Sequence, residues 1–299
     1  MIVVFGSINV DVVARVQRLP QAGETLAGRS FSMLPGGKGA NQALAARRAG
    51  GDVTLFGCVA RDEAMCSIAL RTLVRDGVDL TGIRKVDAAP GVALIHVDDG
   101  GENCITVVAG ANAHARAAQI PDAMLSAGTT VLMQLEVPVD EIAALARRAS
   151  GRGARVILNA APAATLSAPL LDDIDVLVVN ELEAKVLAGS ADVDVRATCC
   201  RLASPSRSVV ATLGSAGALC VHRGATRTQR APPIDVVDTV GAGDAFTAAL
   251  AVALDRGDTF ESAIRQAVAA GSLACGVAGA QDSMPTREAI DGLAASLDG

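Results

Sequence analysis

The sequence predicts an α/β protein with three layers, α/β/α, a largely parallel central sheet and a small separate β lid. Short apolar strand segments alternate with helical segments, which is typical of a parallel sheet with helices on both faces. A hairpin signal near residue 100 interrupts this alternation, so we expect a second, smaller sheet. No internal repeat, low-complexity tract or linker divides the 299 residues. We therefore predict one domain over residues 1–299.

The composition narrows the class of protein and its partners. Hydrophobic residues are 51% of the chain and charged residues 19%, which indicates a compact globular protein. The net charge of −6 and the absence of Trp and Tyr argue against a nucleic-acid surface. The seven Cys show no metal-binding spacing with the three His, and scattered thiols suit a reducing cytosol. The N-terminus lacks the features of a signal peptide, and the longest uncharged run, 266–281, is too short to span a bilayer. We therefore expect a cytoplasmic protein with no membrane partner.

The first strand, 2–5, is followed by a polar stretch where ligands bind in open α/β sheets. Asn9 and Asp11 are two residues apart, so in an extended chain their side chains share one face. Such a pair is suited to holding sugar hydroxyls. The alternative is a turn closed by local hydrogen bonds from Asn and Asp.

A glycine-rich stretch, 34–42, precedes strong helix formers, so it covers the start of a helix. It resembles a phosphate loop but fails the G-x-x-x-x-G-K-[ST] pattern. Lys38 and Asn41 are three residues apart and point to the same side of that helix. The alternative is a glycine-rich helix start with an exposed lysine.

The lid is predicted from two regions that lie outside the alternating pattern. Residues 12–33 are irregular and partly alternating, and residues 98–102 form a strong hairpin signal between strands 91–97 and 103–108. We expect pieces from about 12–33 and 91–108 to pair away from the main sheet. The other predicted strands are 53–59, 130–135, 155–158, 176–179, 208–212 and 218–222. The other predicted helices are 63–76, 139–149, 245–254, 266–281 and 287–297.

Oxygen-bearing side chains recur where predicted strands end. Glu136 sits just past one strand, and Asn180 and Glu183 follow another with a spacing that places them on one helix face. Such ligands suit Mg²⁺, which is usually held by few protein groups, water and substrate phosphates. The alternative is a helix N-cap, Asn180, with Glu183 closing a capping box.

The stretch 238–246, DTVGAGDAF, is a loop that opens into an apolar helix. Gly241 and Gly243 allow a sharp turn and close approach to a ligand. The free N–H groups and the dipole of a helix start favour an anion such as a phosphate. Asp244 would repel that anion unless it takes a proton from the group that attacks the phosphate. The alternative is that Asp244 only caps the helix.

Together and in this order, these motifs resemble those of the ribokinase family, the PfkB-type carbohydrate kinases. Residues 36–41, GGKGAN, match the N-terminal signature, and residues 238–244 match the C-terminal D-T-x-G-A-G-D signature. The resemblance covers essentially the whole chain and implies a ribokinase-like fold. It also implies in-line phosphoryl transfer from ATP to the primary (5-) hydroxyl of D-ribose, giving ribose 5-phosphate.

The resemblance implies a role for each matching residue. The sugar-binding residues would be Asn9, Asp11, Gly37, Lys38, Asn41, Glu136 and Asp244. Asp244 would be the catalytic base, with an anion hole formed by Gly241, Ala242 and Gly243. The Mg²⁺-ATP side would comprise Asn180 and Glu183, and the nucleotide would be lined by Thr212, Gly214, Gly217 and Gly243. A K⁺ site, built mostly from backbone carbonyls, would comprise Asp238, Val240, Ala274, Val277, Gly279 and Ser283. Val268 departs from the His or Asn that the family often places near adenine, which leaves nucleotide preference open.

The resemblance leaves the acceptor and the oligomer open. In the alternatives to ribose, the phosphoryl acceptor is another sugar such as fructose, a ketosugar acid or a nucleoside. The polar cluster suits a small polyol, and no Trp or Tyr is present to stack on a base. A non-catalytic sugar or nucleotide sensor is disfavoured by the intact Asp244 and its glycines. A dehydrogenase is excluded because no G-x-G-x-x-G follows the first strand. An exposed lid face would need covering, so we expect a homodimer through the lid.

Overall fold

The computed structural model describes residues 1–61, 64–190 and 194–297. The strands are β1 (Ile2–Phe5), β2 (Asn9–Arg15), β3 (Ser30–Gly36), β4 (Val53–Ala60), β5 (Asp79–Val86), β6 (Gly91–Val97), β7 (Asn103–Val108), β8 (Thr130–Gln134), β9 (Arg155–Asn159), β10 (Val176–Asn180), β11 (Ser208–Thr212), β12 (Ala218–His222) and β13 (Ala225–Gln229). The α-helices are α1 (Lys38–Arg48), α2 (Ala64–Arg75), α3 (Val139–Ser150), α4 (Ala168–Asp172), α5 (Glu181–Ala188), α6 (Val195–Leu202), α7 (Ala242–Asp255), α8 (Phe260–Cys275) and α9 (Arg287–Ala294).

The main sheet has nine strands in the order β13-β12-β11-β10-β9-β8-β1-β4-β5. The seven strands from β11 to β5 pair in parallel, and β12 and β13 add an antiparallel edge. The largely parallel sheet and the α/β class are confirmed. The two edge strands, β5 and β13, were not predicted, because exposed edge positions break the apolar runs that mark buried strands.

Two hydrophobic cores, one on each face of the main sheet, produce the three layers. Ile2 and Val4 of β1 belong to the core that contains α1, α7 and α8, whereas Val3 and Phe5 belong to the core that contains α3, α5 and α6. Successive strand residues point to opposite faces, so a strand buried on both faces is a continuous apolar run. This explains why β1 and β8 were recognisable from sequence.

A second sheet of four strands, ordered β3-β2-β6-β7, lies apart from the main one. β2 begins at Asn9 and β3 ends at Gly36, so this sheet extends further towards the glycine-rich stretch than the expected 12–33. Val10, Val12 and Val13 are β-branched and favour the strand. The extension matters because β2 now carries Asn9 and Asp11, and β3 leads directly into α1.

Several helix boundaries differ from the expected ones. α8 ends at Cys275, so residues 276–281 are a turn and not the end of the predicted helix 266–281. α7 begins at Ala242, three residues earlier than predicted. Glu63, the predicted first residue of α2, lies outside the described residues. Within the described ranges, none of the helices combines the length and apolar character needed to cross a bilayer.

Candidate active site

The predicted site residues converge at the carboxyl edge of the main sheet, beside the starts of α1 and α7. Two neighbouring cavities, of about 220 and about 680 Å³, share Thr212, Thr239 and Gly243. A further cavity of about 710 Å³ lies at the opposite edge, where Arg155 and Val176 begin their strands. Because ligands in open α/β sheets bind at the carboxyl ends, we place the site in the first two cavities.

Asp244 lies in the first turn of α7 and is 6% exposed. Gly241 precedes the helix with φ 83°, a left-handed conformation that favours glycine. Among the described residues, no hydrogen bond uses the N–H groups of Gly241 and Gly243. The N–H of Ala242 donates to the Thr239 carbonyl at 3.3 Å. The predicted anion hole therefore has two free amides, and its third amide is engaged in a long hydrogen bond.

Two amides hold the Asp244 carboxylate, one on each oxygen. Asn41 Nδ2 donates to Oδ2 at 3.0 Å, and Gln42 Nε2 donates to Oδ1 at 2.9 Å. Both donors come from consecutive residues of α1 and are buried. Asn41 was expected to bind the sugar, but its amide nitrogen is directed at Asp244. Its placement supports a role in holding the carboxylate.

The start of α1 is fixed against β1 by close packing and by Glu136. A Cβ on Gly39 would lie 2.5 Å from backbone atoms of Gly6 and Ser7, so only glycine fits this contact. Glu136 Oε2 accepts from Ser7 Oγ at 2.5 Å and from the Lys38 N–H at 3.0 Å. Glu136 thus satisfies a free N–H of the helix start with one carboxylate oxygen. Its other oxygen makes no hydrogen bond among the described residues and can meet a ligand.

Neighbouring charges shift the pKa values of Asp11 and Lys38. The pKa of Asp11 is raised to about 7, first by burial and then by the nearby carboxylates of Glu136 and Asp244, against the opposing effect of Lys38. Burial lowers the pKa of Lys38, but Asp244, Glu136, Glu183 and Asp11 together raise it above its usual value. Lys38 is therefore the cation that this group of acids shares, and it remains charged at neutral pH.

Asn9 is held by a residue from a distant turn. Asn112 Nδ2 donates to Asn9 Oδ1 at 2.7 Å, and Asn112 Oδ1 accepts from the Ile8 N–H at 2.9 Å. Asn9 is buried, and its own amide nitrogen makes no hydrogen bond among the described residues. That nitrogen is a free donor beside Asp11, as a sugar-binding role requires.

Asn180 and Glu183 form the capping box at the start of α5. Asn180 Oδ1 accepts from the Glu183 N–H at 2.8 Å, and the Glu183 carboxylate accepts from the Asn180 N–H at 2.7 Å and from its Nδ2 at 3.0 Å. Burial raises the pKa of Glu183. Both residues line the smaller cavity with Lys38 and Asp244. Each carboxylate oxygen keeps a lone pair, so the donors fit Mg²⁺ held partly through water. The described residues contain no cluster of three or more His, Cys, Asp or Glu arranged for a metal.

The larger cavity is mostly apolar and meets the smaller cavity at Gly243. All four residues expected to line a nucleotide border it, namely Thr212, Gly214, Gly217 and Gly243. Val268 also lines it, together with Phe246. No charged side chain lines this cavity among the described residues, so it suits an uncharged, largely apolar group.

The loop of Asp238 and the turn after α8 are tied together. Asp238 Oδ1 accepts from the Val240 N–H at 3.0 Å, and Oδ2 accepts from the Gly279 N–H at 2.9 Å. In the described part of the chain, the carbonyls of Val240, Val277 and Gly279 accept no hydrogen bond. The Ala274 carbonyl accepts from the Val277 N–H at 3.3 Å, and Ser283 Oγ donates to the Ala280 carbonyl at 2.8 Å. These free carbonyls beside one carboxylate fit a monovalent cation.

Sequence reasoning missed a set of buried polar residues around the site. They are Ser7, Gln42, Asn112, Gln134 and Asn159. Gln134 and Asn159 each follow a run of three apolar residues at the carboxyl edge, so the rule that selected Glu136 could have selected them. Asn112 gives no local signal, because it contacts Ile8 across 104 positions of sequence.

Fold and site together define a small-molecule kinase, with a polar pocket, an apolar nucleotide-sized cavity and a helix start between them. The chain belongs to the pfkB family of carbohydrate kinases, whose sequence pattern matches residues 1–287. The chain is 35% identical over 292 residues to the ribokinase of Haemophilus influenzae, covering 95% of each chain. It is 36% identical over 297 residues to the ribokinase of Bacillus subtilis, covering 98% of each.

Solved structures give the same fold. The ribokinase of Thermotoga maritima superposes with a TM-score of 0.89 at 30% identity, and 98% of each chain is covered. The ribokinase of Arabidopsis thaliana, complexed with ribose and ATP, superposes with a TM-score of 0.86 at 32% identity and the same coverage. The chain is also 32% identical over 296 residues to the deoxyribokinase of Salmonella typhi, which covers 96% of each chain.

Proposed function

We propose that the protein transfers the γ-phosphoryl group of ATP to the primary hydroxyl of D-ribose, giving ribose 5-phosphate. The observation that carries this proposal is the position of Asp244. Its carboxylate lies at a helix start with two free amides, between a polar pocket and an apolar cavity. The relatives named ribokinase, and the one complexed with ribose and ATP, support the choice of sugar and donor.

In the proposed mechanism, Asp244 accepts the proton of the primary hydroxyl as that oxygen attacks the γ-phosphorus. The bond from phosphorus to the bridging oxygen breaks in line, and ADP leaves. The N–H groups of Gly241 and Gly243 stabilise the charge on the equatorial oxygens, and Lys38 adds a positive charge. Mg²⁺, when bound on the side of Asn180 and Glu183, would neutralise phosphate charge.

The substrate is tested with a coupled assay over pentoses, hexoses and nucleosides. We expect D-ribose to have a higher kcat/KM than 2-deoxyribose, fructose or adenosine. Asn9 and Lys38 offer donors, and Asp11 and Glu136 offer acceptors, whereas Asn41 acts by holding Asp244. A site built to pair hydroxyls penalises an analogue that lacks one, because a buried partner is left unsatisfied.

Other results of this assay would replace the proposal. A higher kcat/KM for 2-deoxyribose would assign the specificity of the Salmonella typhi relative to this chain. A better fructose or nucleoside substrate would keep the family and change the acceptor. No turnover with any acceptor, combined with saturable ribose binding, would favour the sensor.

We propose that K⁺ occupies the group of Asp238, Val240, Ala274, Val277, Gly279 and Ser283. A cation there would fix the loop that ends at Gly241 without touching either substrate. We expect turnover to be higher in potassium than in sodium buffers of equal ionic strength. Equal turnover in the two buffers would argue against the site.

We propose that the four-stranded sheet is the lid and that two copies of the chain pair through it. Apolar side chains on this sheet face solvent, including Phe31, Ile105 and Val107, which are 68%, 51% and 52% exposed. Ile105 and Val107 are two residues apart and share one face of β7. Such a patch is usually covered. Light scattering at micromolar concentration should therefore give the mass of a dimer, and a monomer mass would remove the claim.

We also propose a cytoplasmic location, because the seven cysteines, which all fall within the described ranges, form no disulfide. Subcellular fractionation of the native host tests this location.

A further inference from the structure

Two glutamines form a directed hydrogen-bond chain that ends on Asp244. Gln134 Nε2 donates to Gln42 Oε1 at 2.6 Å, and Gln42 Nε2 donates to Asp244 Oδ1 at 2.9 Å. Both glutamines are fully buried, with 0% exposure. Gln134 ends β8 and Gln42 lies near the start of α1, so the chain links the sheet to the carboxylate.

The carboxylate dictates the orientation of every amide in this chain. Gln42 Nε2 also donates to Asn159 Oδ1 at 3.0 Å, and Asn159 uses its own Nδ2 on the Val178 carbonyl at 3.4 Å. Gln42 therefore faces two acceptors, and a flipped amide would set oxygen against oxygen. Its Oε1 must point away and needs a donor, which Gln134 supplies.

Supplying that donor leaves Gln134 with an unsatisfied atom. Its Oε1 is buried and has no hydrogen-bond partner within the described part of the chain. A buried acceptor without a partner lowers stability, and such exceptions in a native structure call for an explanation. The orientation of Gln42 provides one, because turning Gln134 over would set its oxygen against Gln42 Oε1 and leave that atom without a donor.

The second oxygen of Asp244 is held from another direction. Asn41 Nδ2 donates to Oδ2, and Asn41 Oδ1 accepts from Gln281 Nε2 at 3.1 Å. One amide on each oxygen fixes the plane of the carboxylate, whose terminal torsion is otherwise broad. Each oxygen keeps a lone pair for the incoming proton.

We propose that Gln42 is a positioning residue for Asp244 and that Gln134 acts only through Gln42. The proposal rests on the proposed function, in which Asp244 is the base. Without Gln42 the carboxylate rotates, and fewer bound complexes have the base aligned with the hydroxyl. The effect should fall on kcat, because both glutamines are fully buried and neither lines either of the two site cavities.

The test is a double-mutant cycle with Gln42→Met and Gln134→Met, which remove the amides at nearly constant volume. We expect Gln42→Met to lower kcat roughly 10- to 100-fold, the weight of a small misplacement of a reacting group. Gln134→Met should lower kcat less, with a melting temperature close to wild type, because one unsatisfied acceptor replaces another. The KM values for ribose and ATP should stay within about threefold. In the Gln42→Met background, Gln134→Met should have no further effect on kcat.

The control is Gln266→Met, which removes another buried glutamine. Gln266 bonds to Arg256 and Asp258, away from both site cavities, so this change should lower the melting temperature and leave kcat unchanged. The proposal would be overturned if the double variant lost kcat by the product of the two single losses. It would also be overturned by a wild-type kcat in Gln42→Met. If Gln42→Met does not fold, a wild-type kcat in Gln134→Met overturns it.

Asp244→Asn, assayed in parallel, separates the role of Asp244 as the base from the positioning role of Gln42. An inactive Asp244→Asn with a fully active Gln42→Met would reject the positioning role alone. An active Asp244→Asn would reject the base itself, whatever the glutamines do.

Discussion

Asp244→Asn should lower kcat by roughly two to four orders of magnitude, the weight of a positioned general base. The sugar and nucleotide KM values should stay within about threefold, because the substitution keeps the shape of the side chain. The hydroxyl would then attack while keeping its proton, whereas the amides of Gly241 and Gly243 would still stabilise the transferred group. Steady-state kinetics with both substrates varied in turn measure the effect.

Asparagine is chosen at position 244 because it keeps the shape of the side chain between the two amides that hold the carboxylate. The introduced side chain can accept from one of Asn41 and Gln42, but its own NH₂ must face the other, so a modest loss of stability is expected. The matched control is Asp255→Asn at the other end of α7. Asp255 holds the N-terminal ammonium at 2.9 Å and Thr130 Oγ1 at 2.9 Å. This control should lower the melting temperature and leave kcat intact.

A kcat of more than about a tenth of wild type in Asp244→Asn would exclude Asp244 as the base. The same loss of kcat in Asp255→Asn would show that α7 stability, and not the carboxylate, limits turnover. The two variants lie on one helix, so a general loosening of α7 would affect both.

The buried strands of the main sheet and the order of the motifs could be predicted because each depends on local sequence. Ile2–Phe5 and Val53–Ala60 are buried on both faces and are therefore continuous apolar runs. The glycines around Lys38 and Gly241 mark helix starts that the structure places at the carboxyl edge. Parallel strands end at the same edge, so local signals were sufficient to collect most of the candidates in one region.

The polar contacts behind Asp244 could not be predicted, because they join residues far apart in the chain. Asn41 and Asp244 are 203 positions apart, and Asn41 and Gln281 are 240 apart. A buried glutamine in a strand indicates that a polar group faces it, but the sequence does not identify that group. The capping box of Asn180 and Glu183 was one of two alternatives from sequence, and it is present in the structure. Its presence leaves the Mg²⁺ role as a proposal.

Asp11→Ala should lower kcat/KM for ribose roughly 10- to 100-fold, the weight of a hydrogen bond from a substrate hydroxyl to a charged acceptor. The loss should be several times smaller for 2-deoxyribose, so the gap between the two pentoses should narrow. Asp11 lies on β2 beside Lys38, and its carboxylate can accept from the hydroxyl that 2-deoxyribose lacks. Initial rates with both pentoses, in wild type and in Asp11→Ala, give the four kcat/KM values to be compared.

The pKa of Asp11 adds a second measurement. Because that pKa is about 7 in the free protein, the carboxylate is mostly protonated at pH 6 and mostly ionised at pH 8. Hydroxyls that donate to the ionised form favour it, so ribose binding should lower this pKa and release a proton near pH 7. Ribose affinity should therefore rise up to about tenfold between pH 6 and 8, following the ionised fraction. Titration calorimetry without nucleotide measures it free of phosphate titration.

Asp11→Asn is the control for that pH step, since it keeps the shape and cannot ionise. Glu136, Asp244 and Lys38 remain around position 11 in this variant, so any pH dependence that survives belongs to them. We expect a flat ribose affinity from pH 6 to 8 in Asp11→Asn. If ribose affinity changes equally with pH in wild type and Asp11→Asn, the group that titrates is a neighbour of Asp11 and not Asp11 itself. If Asp11→Ala weakens ribose and 2-deoxyribose equally, Asp11 orients the ring or the lid and does not bind the 2-hydroxyl, because only contact with that hydroxyl can distinguish the two sugars.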